Sequence, residues 1–177
     1  LNRVSTYTEV AEVTIPEGYT IQQIAQLLED ARVCGAEDLI ETANTYPFKH
    51  EMLQDVPMEE NRLEGFLYPD TYQFYINDNP VRVLNTMLNN FNNKYTSEMR
   101  ELTEQSGYSM RQILTIASMV EREAVLPGEQ ATIAGVIYNR LNDPTNFPHL
   151  DIDATVQYAL GEHKENLTYE DLEIDSP

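Results

Sequence analysis

Two acids interrupt an otherwise apolar run. From Ile113 to Ala124 the chain reads Ile-Leu-Thr-Ile-Ala-Ser-Met-Val-Glu-Arg-Glu-Ala, and only Glu121, Arg122 and Glu123 carry charge. Apolar side chains almost all the way round predict a buried helix. Glu121 follows Ala117 by one turn and Leu114 by two, on one stripe. A carboxylate placed there loses water, which favours its protonated form. A general acid working at neutral pH needs that shift. The same pattern also fits a structural ion pair with Arg122, Arg140 or another cation near the helix end. On pattern alone the ion pair is the commoner arrangement. Glu123, next to Arg122, has the same two readings and leans further toward a structural or supporting role.

A second stretch, Leu63-Glu64-Gly65-Phe66-Leu67-Tyr68-Pro69-Asp70-Thr71-Tyr72-Gln73-Phe74, sets aromatic rings beside two carboxylates. Rings that stack on sugar faces and acids that take hydroxyl hydrogen bonds would line a glycan groove this way. Aromatic residues at such spacing are more often core, and composition alone favours core. The other chemistries are poorly served. His50, His149 and His163 are scattered without metal-ligand spacing, so the residues propose no metal site. The seven glycines form no phosphate-cradling cluster, and no cofactor is implied. A single cysteine, Cys34, excludes an internal disulfide and leaves the redox compartment open.

The elements that must position these residues are legible in part. Ala11, Val13 and Ile15 alternate with Glu12 and Thr14, which predicts a half-buried strand. Pro16-Glu17-Gly18 makes a turn, and Thr20 with Gln23 predicts a capping box. The helix it opens carries Ile21, Ile24, Ala25 and Leu28. A short second helix follows near residues 37–44, with Leu39, Ile40 and Ala43 as its apolar positions. Strand, helix, helix and a closing strand would form one small core. Residues 46–62 are polar, contain Pro47 and Pro57, and read as a connection. Pro80 suits the first turn of a helix carrying Val81, Leu84, Leu88, Phe91 and Tyr95. Ser109 and Gln112 form a second capping box before the run that holds Glu121. Ile133 to Leu141 predicts another helix, and Asp151 to Leu160 follows a loop rich in Pro and Asn.

At 177 residues and 41% hydrophobic, the chain has enough apolar material for one sizeable core, with or without a small appended module. No stretch approaches the ~20 apolar residues that span a bilayer. Leu1-Asn2-Arg3 does not resemble a secretory start, so an excised fragment is the simpler expectation. Thirty acidic against eleven basic residues give a net charge of −19. With no basic stripe to oppose it, that field disfavours nucleic acid and anionic lipid as direct partners.

Several stretches together resemble one family, the endolytic murein transglycosylases or YceG-like proteins. They are Ile15-Pro16-Glu17-Gly18 with Ile24-Ala25-Gln26-Leu27-Leu28, the Leu63–Tyr72 segment, Ala117-Ser118-Met119-Val120-Glu121-Arg122-Glu123, Val136-Ile137-Tyr138-Asn139-Arg140-Leu141, and Asp153-Ala154-Thr155-Val156-Gln157-Tyr158. They occur in the family's order and span nearly the whole chain. The resemblance implies an α+β fold: a LysM-like βαα(β) module over residues 8–50, then a mixed, helix-rich catalytic domain over 51–177 that is incomplete at its C-terminus.

The resemblance also implies an enzyme, a peptidoglycan lyase with no cofactor. The family's catalytic acid is the first Glu of the Ala-Ser-x-Val-Glu-x-Glu segment, here Glu121, and this tips the balance from ion pair to acid. Glu64, Tyr68, Asp70, Tyr72, Glu123, Asn139, Asp153 and Thr155 would bind substrate. Glycan strands of peptidoglycan are the implied substrate and the synthases that polymerise them the implied partners. The implied location is the outer face of the cytoplasmic membrane, with an anchoring helix ahead of Leu1. Two residues depart from the family pattern: Ala154 stands where Pro is usual and Asp151 where Gln is usual. Two rival classes remain: a non-catalytic peptidoglycan-binding scaffold acting through the LysM-like module, and a two-carboxylate hydrolase pairing Glu121 with Glu123 or Asp153.

Overall fold

The computed structural model describes residues 9–161, 164 and 166–174. The chain divides into two compact units, residues 1–114 and 115–177. Within the described residues the fold is α+β and helix-rich, with one two-stranded sheet.

In the first unit, strand β1 (Val10–Thr14) pairs antiparallel with β2 (Thr71–Tyr75), and Val13 lies opposite Tyr72 and Ala11 opposite Phe74. Alternation puts Val13, Tyr72 and Phe74 in the core and leaves Glu12, Thr14, Thr71 and Gln73 outside. Ile15 N–H donates to the Asp70 carbonyl at 2.9 Å, extending the pairing toward the aromatic segment. Among the described residues no second strand falls within 8–50; the partner of β1 comes from residues 71–75, beyond those bounds and inside the stretch whose rings could have lined a groove.

Between the strands lie α1 (Ile21–Asp30) and α2 (Ala36–Thr45). The Thr20–Gln23 capping box forms as expected, and Ile21, Ile24, Ala25 and Leu28 are buried. The connection after α2 is less polar in its packing than in its composition. Phe48, Met52, Leu53 and Val56 turn into the core, with a single 3-10 turn over Glu51–Leu53. Helix α3 (Pro80–Lys94) starts on an Asn79 cap with proline in its first turn, and buries Val83, Leu84, Met87, Leu88 and Phe91. Phe66, fully buried, meets Phe91 with ring centroids 5.7 Å apart. The aromatic segment is thus mainly core, as composition favoured, with Tyr68 half-buried at its edge. Helix α4 (Ser97–Ser106) buries no residue and was not legible in the periodicity.

Helix α5 (Met110–Glu123) opens on the expected Ser109–Gln112 box, with Ser109 N–H donating to Gln112 at 2.9 Å. The expectation that α5 is enclosed is corrected. Only Ile116 and Val120 are buried, and Thr115, Ala117, Ser118, Glu121, Arg122 and Glu123 are exposed. The helix is apolar on several faces because it feeds two cores in succession. Met110 and Leu114 pack on the first unit's core, whereas Ile116 and Val120 seed the second's.

The second unit continues with α6 (Gln130–Asn142), α7 (Asp153–Leu160) and the short α8 (Tyr169–Leu172). Its core is small. Ile137 of α6 joins Ile116 and Val120, with Ile133, Tyr138, Leu150 and Ile152 packed around them. No helix among the described residues is long and apolar enough to cross a membrane.

Candidate active site

The residues singled out for substrate fall into the two units. Glu64, Tyr68, Asp70 and Tyr72 belong to the first, and Glu121, Glu123, Asn139, Asp153 and Thr155 to the second.

In the first unit, Glu64 sits in a turn that Gly65 completes at φ 80°, a conformation that glycine adopts without strain. Its carboxylate accepts from Ile21 N–H at 3.1 and 3.3 Å, at the N-terminus of α1. That position satisfies an orphan donor and sets negative charge at the positive end of the helix. Glu64 thus ties the aromatic segment to α1 across 43 residues.

Tyr68, Asp70 and Tyr72 form one polar cluster, and the side chain that joins them was not foreseen. Asn90 of α3 donates one amide proton to Asp70 Oδ2 and one to the Tyr72 hydroxyl, each at 3.0 Å. The Tyr72 hydroxyl in turn donates to the Tyr68 carbonyl. Asp70 also accepts from Thr71 N–H at 2.8 Å. The Asn90 bond, reinforced by that backbone donor and the nearby Lys94 charge, holds the Asp70 carboxyl below the usual range. Burial pushes the Tyr72 phenol up, and the Asn90 bond offsets part of that. Lys94, one turn beyond Asn90, places Nζ 5.4 Å from the centroid of the Tyr68 ring. Asn90 and Lys94 share the helical i, i+4 spacing, a signal too common to mark a site without knowing which strand lies beside it.

In the second unit, Glu121 and Glu123 stand in the last turn of α5, both exposed. Glu121 lies about 100° round the helix from buried Val120, on the side of exposed Ala117. The desolvation expected from an enclosed helix is absent. So is the structural alternative: among the described residues Glu121 forms no ion pair or hydrogen bond. Arg140, one of its candidate partners, instead donates to the Leu150 carbonyl, lies 3.6 Å from Asp151 and sits over the Phe147 ring at 5.7 Å. These contacts fasten the loop ahead of α7, where Asp151 adopts φ 51°. Asp153, exposed, occupies the first turn of α7, where the helix dipole favours a carboxylate. Thr155 is half-buried and donates its hydroxyl to the Ile152 carbonyl at 2.7 Å. Asn139 is exposed on α6. His163 lies outside the described residues, and among these no cluster of three metal-ligating side chains occurs.

Comparison with known proteins gives these positions a context. The profile of the YceG-like family matches residues 1–177. An endolytic murein transglycosylase of Bacillus subtilis (strain 168) is 31% identical over 176 residues, covering 94% of this chain and 48% of that protein. One from Streptococcus pneumoniae serotype 2 is 31% identical over 187 residues, covering 94% of this chain and 33% of its own length. The crystal structure of a YceG-like protein from Listeria monocytogenes superposes with a TM-score of 0.77 at 32% identity, over 94% of this chain and 57% of that one. The chain thus spans about half the length of the first curated relative and a third of the second. With the family profile matched from end to end and the fold shared at 32% identity, the chain belongs to the YceG-like family.

Proposed function

We propose that this chain carries the catalytic acid of an endolytic peptidoglycan lytic transglycosylase, and that Glu121 is that acid. The observation that carries the reading is the state of Glu121: a carboxylate at the end of a helix anchored by Ile116 and Val120, exposed, and without a structural partner among the described residues. The names of the relatives and the Ala-Ser-x-Val-Glu-x-Glu segment support it. Because Glu121 is exposed, the desolvation that a general acid needs comes from the bound glycan rather than from the apo fold.

In the proposed reaction, the Glu121 carboxylic acid protonates the oxygen bridging N-acetylmuramic acid to N-acetylglucosamine, and the glycosidic C–O bond breaks. The resulting carboxylate takes the proton of the muramic acid C6 hydroxyl as that oxygen bonds to the anomeric carbon. The product is a 1,6-anhydro end, Glu121 is protonated again, and no water is consumed. One carboxylate suffices, whereas hydrolysis calls for two. Keeping the C6 hydroxyl near the anomeric carbon is a positioning task, assigned here to Asp153 and Asn139, with Glu123 and Thr155 supporting them. Tyr68 and Asp70 are proposed glycan contacts, Tyr72, buried, holds them from beneath through its hydroxyl and Asn90, and Glu64 ties the segment to α1.

We further propose that residues 8–50 form a LysM-like module, a reading supported by the strand–helix–helix order of β1, α1 and α2, with β1 paired to β2 from outside that span. Action at the outer face of the cytoplasmic membrane, beside the synthases, is proposed from the family resemblance alone. Digestion of purified peptidoglycan followed by mass spectrometry tests the reaction. The proposal expects 1,6-anhydro ends. Reducing ends would make the protein a hydrolase, and unchanged glycan would leave it a binder.

A further inference from the structure

Beside the Tyr68–Asp70–Tyr72 cluster stands one cation that, among the described residues, is held by a ring face and the nearby Asp70 charge rather than by a hydrogen bond or ion pair. Asn90 ties down Asp70 and Tyr72, and Tyr72 ties down the Tyr68 backbone. Lys94, exposed in the last turn of α3, rests with its ammonium 5.4 Å from the Tyr68 centroid and enters no ion pair among the described residues. The same small patch thus offers a fixed acceptor, a half-buried ring and a cation that feels the Asp70 charge without closing an ion pair with it among the described residues.

Each part suits a different group on one ligand. An exposed carboxylate accepts from sugar hydroxyls or an N-acetyl N–H, and an aromatic edge packs on the ring of a neutral sugar. A lysine beside them is a compact point charge suited to a carboxylate. In a chain of net charge −19, an anionic substituent is repelled unless a local cation receives it. Wall glycan alternates neutral N-acetylglucosamine with N-acetylmuramic acid, whose lactyl group bears a carboxylate or a peptide with carboxylates of its own.

We propose that Lys94 is a specificity-determining residue that receives a carboxylate of the muramic acid substituent while Asp70 and Tyr68 hold the adjoining neutral sugar. The inference rests on the reading of this patch as a glycan site. It adds a preference for anionic glycan, set by a residue that the motifs do not include.

Isothermal titration of the protein with three probes tests it. The probes are chitotetraose, which is neutral, a peptide-free tetrasaccharide of alternating N-acetylglucosamine and N-acetylmuramic acid, and the same glycan bearing its peptides. An exposed charge pair predicts that anionic glycan binds about three to five times tighter than chitotetraose at low salt. The difference should shrink at high salt. Lys94→Met should remove the difference while chitotetraose still binds as before, and Lys94→Arg should keep it. Preference for both anionic probes assigns the lactyl carboxylate, and preference for the peptide-bearing probe alone assigns a peptide carboxylate. If Lys94→Met weakens chitotetraose as much as the anionic probes, Lys94 merely packs on Tyr68 and the proposal is overturned. It is also overturned if the anionic preference survives in that variant. If the unaltered protein binds none of the three, the glycan reading of the patch falls, and the role of Lys94 with it.

Discussion

Glu121 and Glu64 show how differently two motif carboxylates are placed. Glu121 is exposed and forms no hydrogen bond or ion pair among the described residues, so Glu121→Gln should leave thermal stability within the usual range for exposed substitutions, about ±0.5 kcal/mol. Glu64 serves the fold directly, because both of its oxygens face Ile21 N–H at the start of α1. Glu64→Ala removes that acceptor and its favourable placement at the helix dipole. It should cost about 1 kcal/mol, read as a lower midpoint in thermal or urea unfolding. An unchanged midpoint would show that Thr20 alone satisfies the helix start. Glu121 was legible through its neighbours in sequence, although the reason first offered, burial, does not hold. Asn90 was not legible. An asparagine between Leu88 and Phe91 shows its purpose only once β2 is set against α3, and no local pattern encodes that register.

Among the elements, legibility followed local hydrogen bonding. The capping boxes at Thr20–Gln23 and Ser109–Gln112 are read from residues three apart, and both form. Helix α4 has a Thr96 cap and a left-handed Gly107 at its end, yet it buries no side chain and so lacks the apolar stripe that marks a helix in sequence. Helix α5 misled in the opposite way, because residues that serve two cores were read as lining one. Helix α8 yields a pH test. The Lys164 hydrogen bond at 2.6 Å, with Thr168 N–H and hydroxyl bonds at 2.8 Å, holds the Asp171 carboxyl at about 2, against an ordinary 3.8. A depressed carboxyl stabilises the fold fully above its unfolded value and loses that contribution as pH falls toward the folded one. Between pH 4 and pH 2, thermal unfolding followed by circular dichroism should therefore show falling stability, with part of the slope removed in Asp171→Asn. Equal slopes in both proteins would mean that the Lys164–Asp171 bond does not persist in solution.

At the scale of the molecule, the α+β class came from the family resemblance, and periodicity and caps revealed β1, α1, α2, α3, α5 and α6 but neither β2 nor α4. Strand β2 begins 57 positions beyond the end of β1, with Thr71 opposite Thr14. Nothing in the alternation of residues 71–75 names its partner. The two compact units meet in sequence inside α5, where helical periodicity continues without a break. The net charge of −19 disfavours nucleic acid and frames the expected role of Lys94 as a local exception. The central claim joins a family, a fold and one carboxylate, and it reduces to which acid the lyase chemistry requires. The most direct measurement compares the protein with Glu121→Gln and Glu123→Gln, each digesting purified peptidoglycan, with 1,6-anhydro ends quantified by mass spectrometry. Losing an essential general acid should lower their rate of formation by about 10²–10⁴-fold in Glu121→Gln, while Glu123→Gln retains most of it. Anhydro ends formed by Glu121→Gln at the rate of the unaltered protein would contradict the assignment.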